Sequence, residues 1–141
     1  MENLSDINWL AVLLGGVVYM AVGSIWYGPI AGKAWMAEMG MTEEELKQAS
    51  NNPAKAMFLS FIASLFMSFG LAVVLSMSGM VGGGWLAGMK VGLMLSVLIV
   101  GGGTFANYAF ESKSLRHFLI HMGNITLSMM AIGAMMGAWS N

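Results

Sequence analysis

The chain has 141 residues, of which 57% are apolar and only 9% are charged, and its formal net charge is -1. Soluble domains carry about 25% charged residues, so this composition excludes an ordinary soluble fold and indicates a single membrane domain covering residues 1–141. The nearly neutral charge gives no general attraction for nucleic acid, and the absence of cysteine excludes disulfides and thiolate metal sites.

The first apolar segment extends over about residues 7–27, which is long enough to cross a membrane as a helix. No lysine or arginine precedes it, so we expect a retained helix and not a cleaved signal peptide. Gly28-Pro29 comes next. Because proline disfavours helical geometry in the residue before it, we expect the helix to end there.

The segment between the first and second spans is polar by the standards of this chain. Residues 32–39 mix Lys33 and Glu38 with Trp35 and apolar residues, which predicts a short amphipathic helix in the membrane interface. Thr42 and Glu45 have the spacing of a capping box, which predicts the start of a second short helix. The acidic residues 43–45 are then explained by the helix dipole in the first turn.

Two spans carry small residues at every fourth position. In the second span, about residues 56–76, these small residues are Ala56, Ser60, Ser64, Ser68, Ala72 and Ser76. In the third span, about residues 85–108, they continue a series that begins just before it and consists of Gly84, Gly88, Gly92 and Ser96. Small residues at this spacing let helices approach closely, so we expect spans two and three to pack together or to form a homo-oligomer interface. The packing positions that we select are Ser60, Ser64, Ser68, Gly88 and Gly92. A serine-lined pore is the alternative explanation of the first stripe.

The distribution of charge predicts the orientation. Five basic residues lie between spans one and two or between spans three and four, namely Lys33, Lys47, Lys55, Lys113 and Arg116. The positive-inside rule then places both of these loops in the cytoplasm and both termini outside. Lys90, the one charged residue inside a span, follows Trp85 closely enough to snorkel to the surface. A buried functional lysine is the alternative.

Polar residues inside apolar sequence concentrate where the third span ends and the fourth, about residues 117–139, begins. The three glycines Gly101, Gly102 and Gly103 loosen a helix, so we expect a hinge there. Beyond them we select a candidate binding cluster of Asn107, Tyr108, Glu111, His121 and Asn124. Antiparallel helices joined by a short turn bring such faces together. We expect Asn107 and Asn124 to pair, because an unpaired amide is costly in lipid.

Two other interpretations of this cluster remain open. His117 and His121 could bind a metal with Glu111, but the spacing matches no established motif, so we expect no metal and no cofactor. Counting back from Trp139 places His121 near the inner interface, where both histidines can be hydrated. A polar layer that satisfies loop backbone and binds lipid headgroups is the simpler interpretation.

Four short segments carry a resemblance to a known family. They are Trp26-Tyr27-Gly28-Pro29, Gly32-Lys33-Ala34-Trp35-Met36, the acidic Glu43-Glu44-Glu45, and Asn107-Tyr108-Ala109-Phe110-Glu111 ahead of a basic loop. Over essentially its whole length the chain resembles the bacterial membrane proteins catalogued as domain of unknown function 1761. The resemblance implies a small four-helix membrane protein and brings with it no reaction, substrate or cofactor.

The sequence therefore predicts an all-α polytopic membrane protein, with four transmembrane helices in a bundle and a short amphipathic helical loop between the first two. We consider two functions. The first is a small-solute or ion pathway in a homo-oligomer, and the second is an accessory or structural role in binding another membrane protein or lipid. An enzyme is not expected, because no nucleophile, base and orienting group can be assembled. The expected partners are the lipid bilayer and further membrane-protein chains, not nucleic acid.

Overall fold

The structure is a computed structural model that describes residues 4–49 and 52–139, and every element in these ranges is helical. In chain order they are a 3-10 turn at Leu4–Asp6, α1 at Trp9–Ile25, a π-helical turn at Trp26–Ile30, α2 at Gly32–Met39, α3 at Glu43–Ala49, α4 at Pro53–Met77, α5 at Trp85–Met94, a π-helical segment at Leu95–Gly101, α6 at Gly102–Phe110 and α7 at Leu115–Ala138.

Within the described ranges, four continuous helical stretches are long and apolar enough to cross a membrane. They are span 1 at Trp9–Ile30, span 2 at Pro53–Met77, span 3 at Trp85–Phe110 and span 4 at Leu115–Ala138. The predicted all-α class with four membrane-spanning helices is confirmed. The short polar helices α2 and α3 form the connection between spans 1 and 2.

Local capping explains where several of these helices begin. The Asn52 side chain accepts from the Lys55 backbone N–H at 3.0 Å before span 2, and the Ser114 hydroxyl accepts from the His117 N–H at 3.0 Å before span 4. The Thr42 N–H donates to Glu45 at 2.8 Å, and the Glu45 N–H donates to the Thr42 hydroxyl at 3.2 Å. The predicted capping box is therefore confirmed, and it begins α3.

Span 1 does not end at Gly28-Pro29, so that prediction is wrong. The helix continues through both residues as a π turn, in which the Ala31 N–H donates to the Trp26 carbonyl at 2.7 Å. Proline lacks an N–H and clashes with the preceding turn of a regular α-helix, and the wider π turn accommodates both defects. Gly28 helps, because it has no Cβ to meet the proline ring.

The serine stripe of span 2 packs on span 1. The Ser68 hydroxyl donates to the Val12 carbonyl at 2.8 Å, and the Ser64 hydroxyl lies 3.3 Å from the Gly16 carbonyl. Both serines are buried, and a Cβ added at Gly15 would overlap Ser68. Glycines on one helix therefore receive serines from the other, which is the close approach that small residues permit.

The glycine stripe of span 3 packs on span 4 and not on span 2. The Gly84 N–H donates to the Gly137 carbonyl at 2.9 Å, and a Cβ added at Gly88 would overlap the backbone of Gly133. Gly92 is buried in the same contact. The expectation that spans 2 and 3 are partners through their stripes is therefore wrong, because each stripe is matched by glycines of a different helix.

Span 4 is the centre of the bundle, since it packs against spans 1, 2 and 3. Its Ile132 is fully buried with Leu71 and Leu75 of span 2. The loops between spans 1 and 2 and between spans 3 and 4 meet at one end, where the Ser114 hydroxyl donates to Glu38 at 2.6 Å. We call this the basic end, because these loops and the first turns of spans 2 and 4 carry Lys33, Lys47, Lys55, Lys113 and Arg116.

Candidate functional site

A cleft of about 290 Å³, with both apolar and polar side chains in its lining, lies between spans 1, 2 and 4. It is lined by Tyr19, Met20, Gly23, Ser24, Tyr27, Ser60, His121 and Asn124. Ser24 and Ser60 are exposed at its opening, whereas Asn124 is buried. Among the described residues of the lining there is no aspartate, glutamate, lysine or arginine, so hydroxyl, imidazole and amide groups determine what the cleft can bind.

The floor of the cleft is Asn124, whose side chain is only partly satisfied. The residue is 3% exposed, and its Oδ1 has no hydrogen-bond partner among the described residues. The amide group interacts with the Tyr19 hydroxyl. Gly23 of span 1 lies against this oxygen, since a Cβ added there would stand 3.7 Å from Oδ1. Buried polar atoms in folded proteins nearly always have a hydrogen-bond partner, so this oxygen is one of the exceptions among the described residues.

The wall of the cleft facing the basic end is a tyrosine–histidine pair. The Tyr27 hydroxyl lies 3.1 Å from Nδ1 of His121, within hydrogen-bonding distance. Tyr27 also meets Trp35 of α2 edge to face, with ring centroids 5.3 Å apart. On its other side His121 is stacked on Tyr108, with ring centroids 6.1 Å apart. The imidazole is thus held by aromatic neighbours from spans 1 and 3.

The π turn of span 1 places Tyr27 and its neighbour Trp26 against span 4. The indole Nε1 of Trp26 donates to the Ile120 carbonyl at 2.8 Å, and its ring lies where a Cβ of Gly123 would be. Consecutive residues of the turn therefore contact consecutive residues of span 4, Trp26 at Ile120 and Tyr27 at His121. The contact holds the two spans together beside the cleft.

Tyr108 anchors the end of span 3 over the start of span 4. It is buried, and its ring meets His117 edge to face with centroids 5.3 Å apart. The Lys113 ammonium lies 4.9 Å from the centroid of the Tyr108 ring, an arrangement suited to cation–π attraction. Lys113 also pairs with Glu111 at 2.7 Å, and the hydrogen bond to this carboxylate raises the pKa of Lys113.

The predicted cluster is only partly brought together. His121 and Asn124 line the cleft, and Tyr108 covers His121. Glu111 is exposed and does not belong to the cleft lining. Asn107 is exposed, and Oδ1 of Asn124 has no partner among the described residues, so the expected pairing of the two amides is wrong. The π-helical segment Leu95–Gly101 explains this, because an extra residue per turn rotates the faces that follow it away from the regular period.

The packing and hinge positions are placed as follows. Ser64, Ser68, Gly88 and Gly92 are buried between helices, whereas Ser60 is exposed and lines the cleft. Gly101, Gly102 and Gly103 are all helical, with the π-helical segment ending at Gly101, so the hinge stays a prediction. Within residues 4–49 and 52–139, no group of three or more His, Asp or Glu side chains is arranged to hold a metal ion.

Sequence reasoning missed the contribution of span 1 to the cleft. Tyr19, Gly23 and Tyr27 are spaced by four residues, which places them on one face of a helix and could have indicated a polar stripe. Tyrosine near the end of a span is also typical of the membrane interface, so the residue type alone does not indicate a cleft.

The four segments that carry the family resemblance lie in the parts of the structure just described, and two of them build the cleft and its cover. Neither the curated proteins nor the solved structures contain a match to the chain. The sequence pattern of one family, described as protein of unknown function, DUF1761, matches residues 10–137. The predicted resemblance is therefore confirmed: the chain belongs to the DUF1761 family of proteins of unknown function, and its four apolar helices fit a membrane protein.

Proposed function

We propose that the protein provides a pathway for a small solute or ion across the membrane, and that the cleft is the binding site of this pathway. The observation that carries the proposal is the unpartnered Oδ1 of Asn124 on the cleft floor. Leaving a buried acceptor unsatisfied costs about 1–3 kcal/mol. A solute that donates a hydrogen bond to this oxygen offsets that cost, so the site is prepared for a ligand.

The depth of Asn124 in the membrane span favours a pathway and not a binding site at the membrane surface. Asn124 follows Leu115 by nine residues, so it lies ~13.5 Å along a span that is about 36 Å long. One turn deeper, Ser128 is fully buried and its hydroxyl has no hydrogen-bond partner among the described residues. Unsatisfied polar groups thus continue from the cleft into the bundle. Polar groups at such depth are costly in lipid and typically mark solute or ion pathways.

The pathway that we propose lies within one chain. The two small-residue stripes were the basis for expecting a homo-oligomer or a partner protein, and the residues Ser64, Ser68, Gly88 and Gly92 pack inside this chain. These four residues are therefore not available to a second copy or another membrane protein, although Ser60 of the same stripe is exposed. Native mass spectrometry of the protein extracted from its own membranes measures the stoichiometry directly.

For the orientation, we propose a bacterial cytoplasmic membrane with the basic end in the cytoplasm and both termini outside. The five basic residues at that end support it through the positive-inside rule. The chain has no cysteine, so single cysteines introduced at exposed positions report topology cleanly. A membrane-impermeant maleimide applied to intact cells should label Met80→Cys and not Gln48→Cys. Labelling of Gln48→Cys and not of Met80→Cys would show the opposite orientation.

A flux experiment tests the pathway. The protein is reconstituted into liposomes and challenged with urea and acetamide, followed by light scattering, and with K⁺ and Cl⁻, followed by ion-sensitive dyes. At least one probe should cross faster than in empty liposomes. Asn124→Leu should abolish that flux, and Asn107→Leu, the same change at an exposed position of span 3, should retain it. Absence of flux for all four probes, or full flux in folded Asn124→Leu protein, contradicts the proposal.

A further inference from the structure

We infer that the cleft takes a small uncharged solute with N–H or O–H donors and excludes ions. This inference rests on the proposed function and names the substrate class of the same site. It follows from three properties of the cleft, namely the charge of its lining, the hydrogen-bonding character of its floor and walls, and its size.

The first property is the lack of countercharge. When His121 is neutral, none of the described residues that line the cleft carries a formal charge. Two charged pairs lie at the basic end, Glu111 with Lys113 at 2.7 Å and Glu38 at 3.7 Å from the Arg116 guanidinium. An ion that left water for this cleft would lose hydration without gaining an opposite charge. An uncharged solute avoids that cost.

The second property is the kind of hydrogen bond that the cleft requires. Oδ1 of Asn124 can only accept, so an uncharged ligand must offer it a hydrogen-bond donor. The Tyr27 hydroxyl is held by His121, and the Tyr19 hydroxyl interacts with the Asn124 amide. Phenolic oxygens can also accept, so the residues that line the cleft include several hydrogen-bond acceptors. A carboxylate, which only accepts, leaves Oδ1 unsatisfied, whereas an amide or an alcohol satisfies it.

The third property is the size of the cleft and the chemistry of its sides. A water molecule occupies about 30 Å³ in the liquid. The cleft, at about 290 Å³, therefore holds a solute of a few heavy atoms together with water. The rings of Tyr19 and Tyr27 and the side chain of Met20 provide apolar surface around the polar floor. This combination suits a compact amide or alcohol with a short apolar part.

The test compares uncharged and charged probes in proteoliposomes of the full chain. We expect urea and acetamide to cross at least about tenfold faster than in empty liposomes, with no acceleration of K⁺ or Cl⁻. Asn124→Leu should remove the acceleration. Tyr27→Phe, which keeps the ring and loses only the hydroxyl that pairs with His121, should reduce it several-fold with unchanged circular dichroism.

The outcomes separate this inference from the proposed function. If K⁺ or Cl⁻ crosses in an Asn124-dependent manner while urea and acetamide do not, the pathway stands and the substrate class is overturned. If none of the probes crosses, both are overturned. If urea and acetamide cross at the same rate in wild type, Asn124→Leu and Tyr27→Phe, the cleft is not their binding site and the inference fails.

Discussion

The indole nitrogen of Trp26 donates a 2.8 Å hydrogen bond to the carbonyl oxygen of Ile120, which joins two residues that are 94 positions apart in the chain. The same ring lies against Gly123. One residue further along both helices, the Tyr27 hydroxyl meets His121. The π turn of span 1 is thereby held on span 4 beside the cleft.

The contact between Trp26 and Gly123 should be sensitive to a single methyl group. In Gly123→Ala the new Cβ overlaps the indole ring, so we expect a loss of about 1–3 kcal/mol in the free energy of unfolding. Thermal unfolding in detergent, followed by circular dichroism, measures it. Gly103→Ala is the control, because no heavy atom lies within 4 Å of its added Cβ. There the change should stabilise by about 0.5–1 kcal/mol. Equal effects at both positions would contradict the packing of Trp26 on Gly123.

Two buried serines should respond differently to the same substitution. Ser68→Ala removes the hydrogen bond to the Val12 carbonyl, so we expect a loss of about 0.5–1.5 kcal/mol in unfolding free energy. Ser128→Ala removes a buried hydroxyl that has no partner among the described residues, so stability should stay the same or rise by about 1 kcal/mol. The unfolding midpoints of both variants and the wild type, measured without added solute, test these two expected changes. A larger loss of unfolding free energy for Ser128→Ala than for Ser68→Ala would show that the Ser128 hydroxyl already has a hydrogen-bond partner.

Glu38 should control how firmly α2 rests on the bundle. Glu38→Ala removes the hydrogen bond from Ser114 and the contact with Arg116. We expect faster amide hydrogen exchange in α2, with less than about 1 kcal/mol lost globally, because partly exposed ion pairs contribute little. Glu43→Ala is the matched control, since it removes only an exposed pair with Lys47 at 3.5 Å. If the two variants leave exchange in α2 equally unchanged, Glu38 does not hold this helix.

The parts of the fold that depend on residues close together in the sequence could be predicted from the sequence. Four apolar stretches of sufficient length predicted the spans. The three-residue spacing of Thr42 and Glu45 predicted the capping box that begins α3. The small-residue stripes correctly indicated close helix packing. Their partners could not be predicted, because complementary glycines occur at Gly15 in span 1 and Gly133 in span 4, and only the tertiary arrangement decides which stripe meets which glycine.

The candidate site was less predictable because spans 1 and 3 each contain a π-helical segment. The turn at Trp26–Ile30 carries Tyr27 past a proline that normally ends a helix. The segment at Leu95–Gly101 rotates the residues after it, which leaves Tyr108 buried and Asn107 exposed. The hydrophobic period of a sequence does not record such an inserted residue. Asn124 was selected correctly as a buried amide, but its neighbour is Tyr19 and not Asn107.

The side-chain amide NMR signal of Asn124, followed during titration with acetamide, tests most directly whether its Oδ1 receives a hydrogen-bond donor in the cleft. The signal should shift and saturate with acetamide, and it should not respond to acetone, which has a similar shape but no N–H. The exposed amide of Asn107 should respond to neither. Equal, unsaturated shifts at Asn124 and Asn107, or the same response of Asn124 to acetone and acetamide, would contradict the proposal that this cleft binds a hydrogen-bond donor.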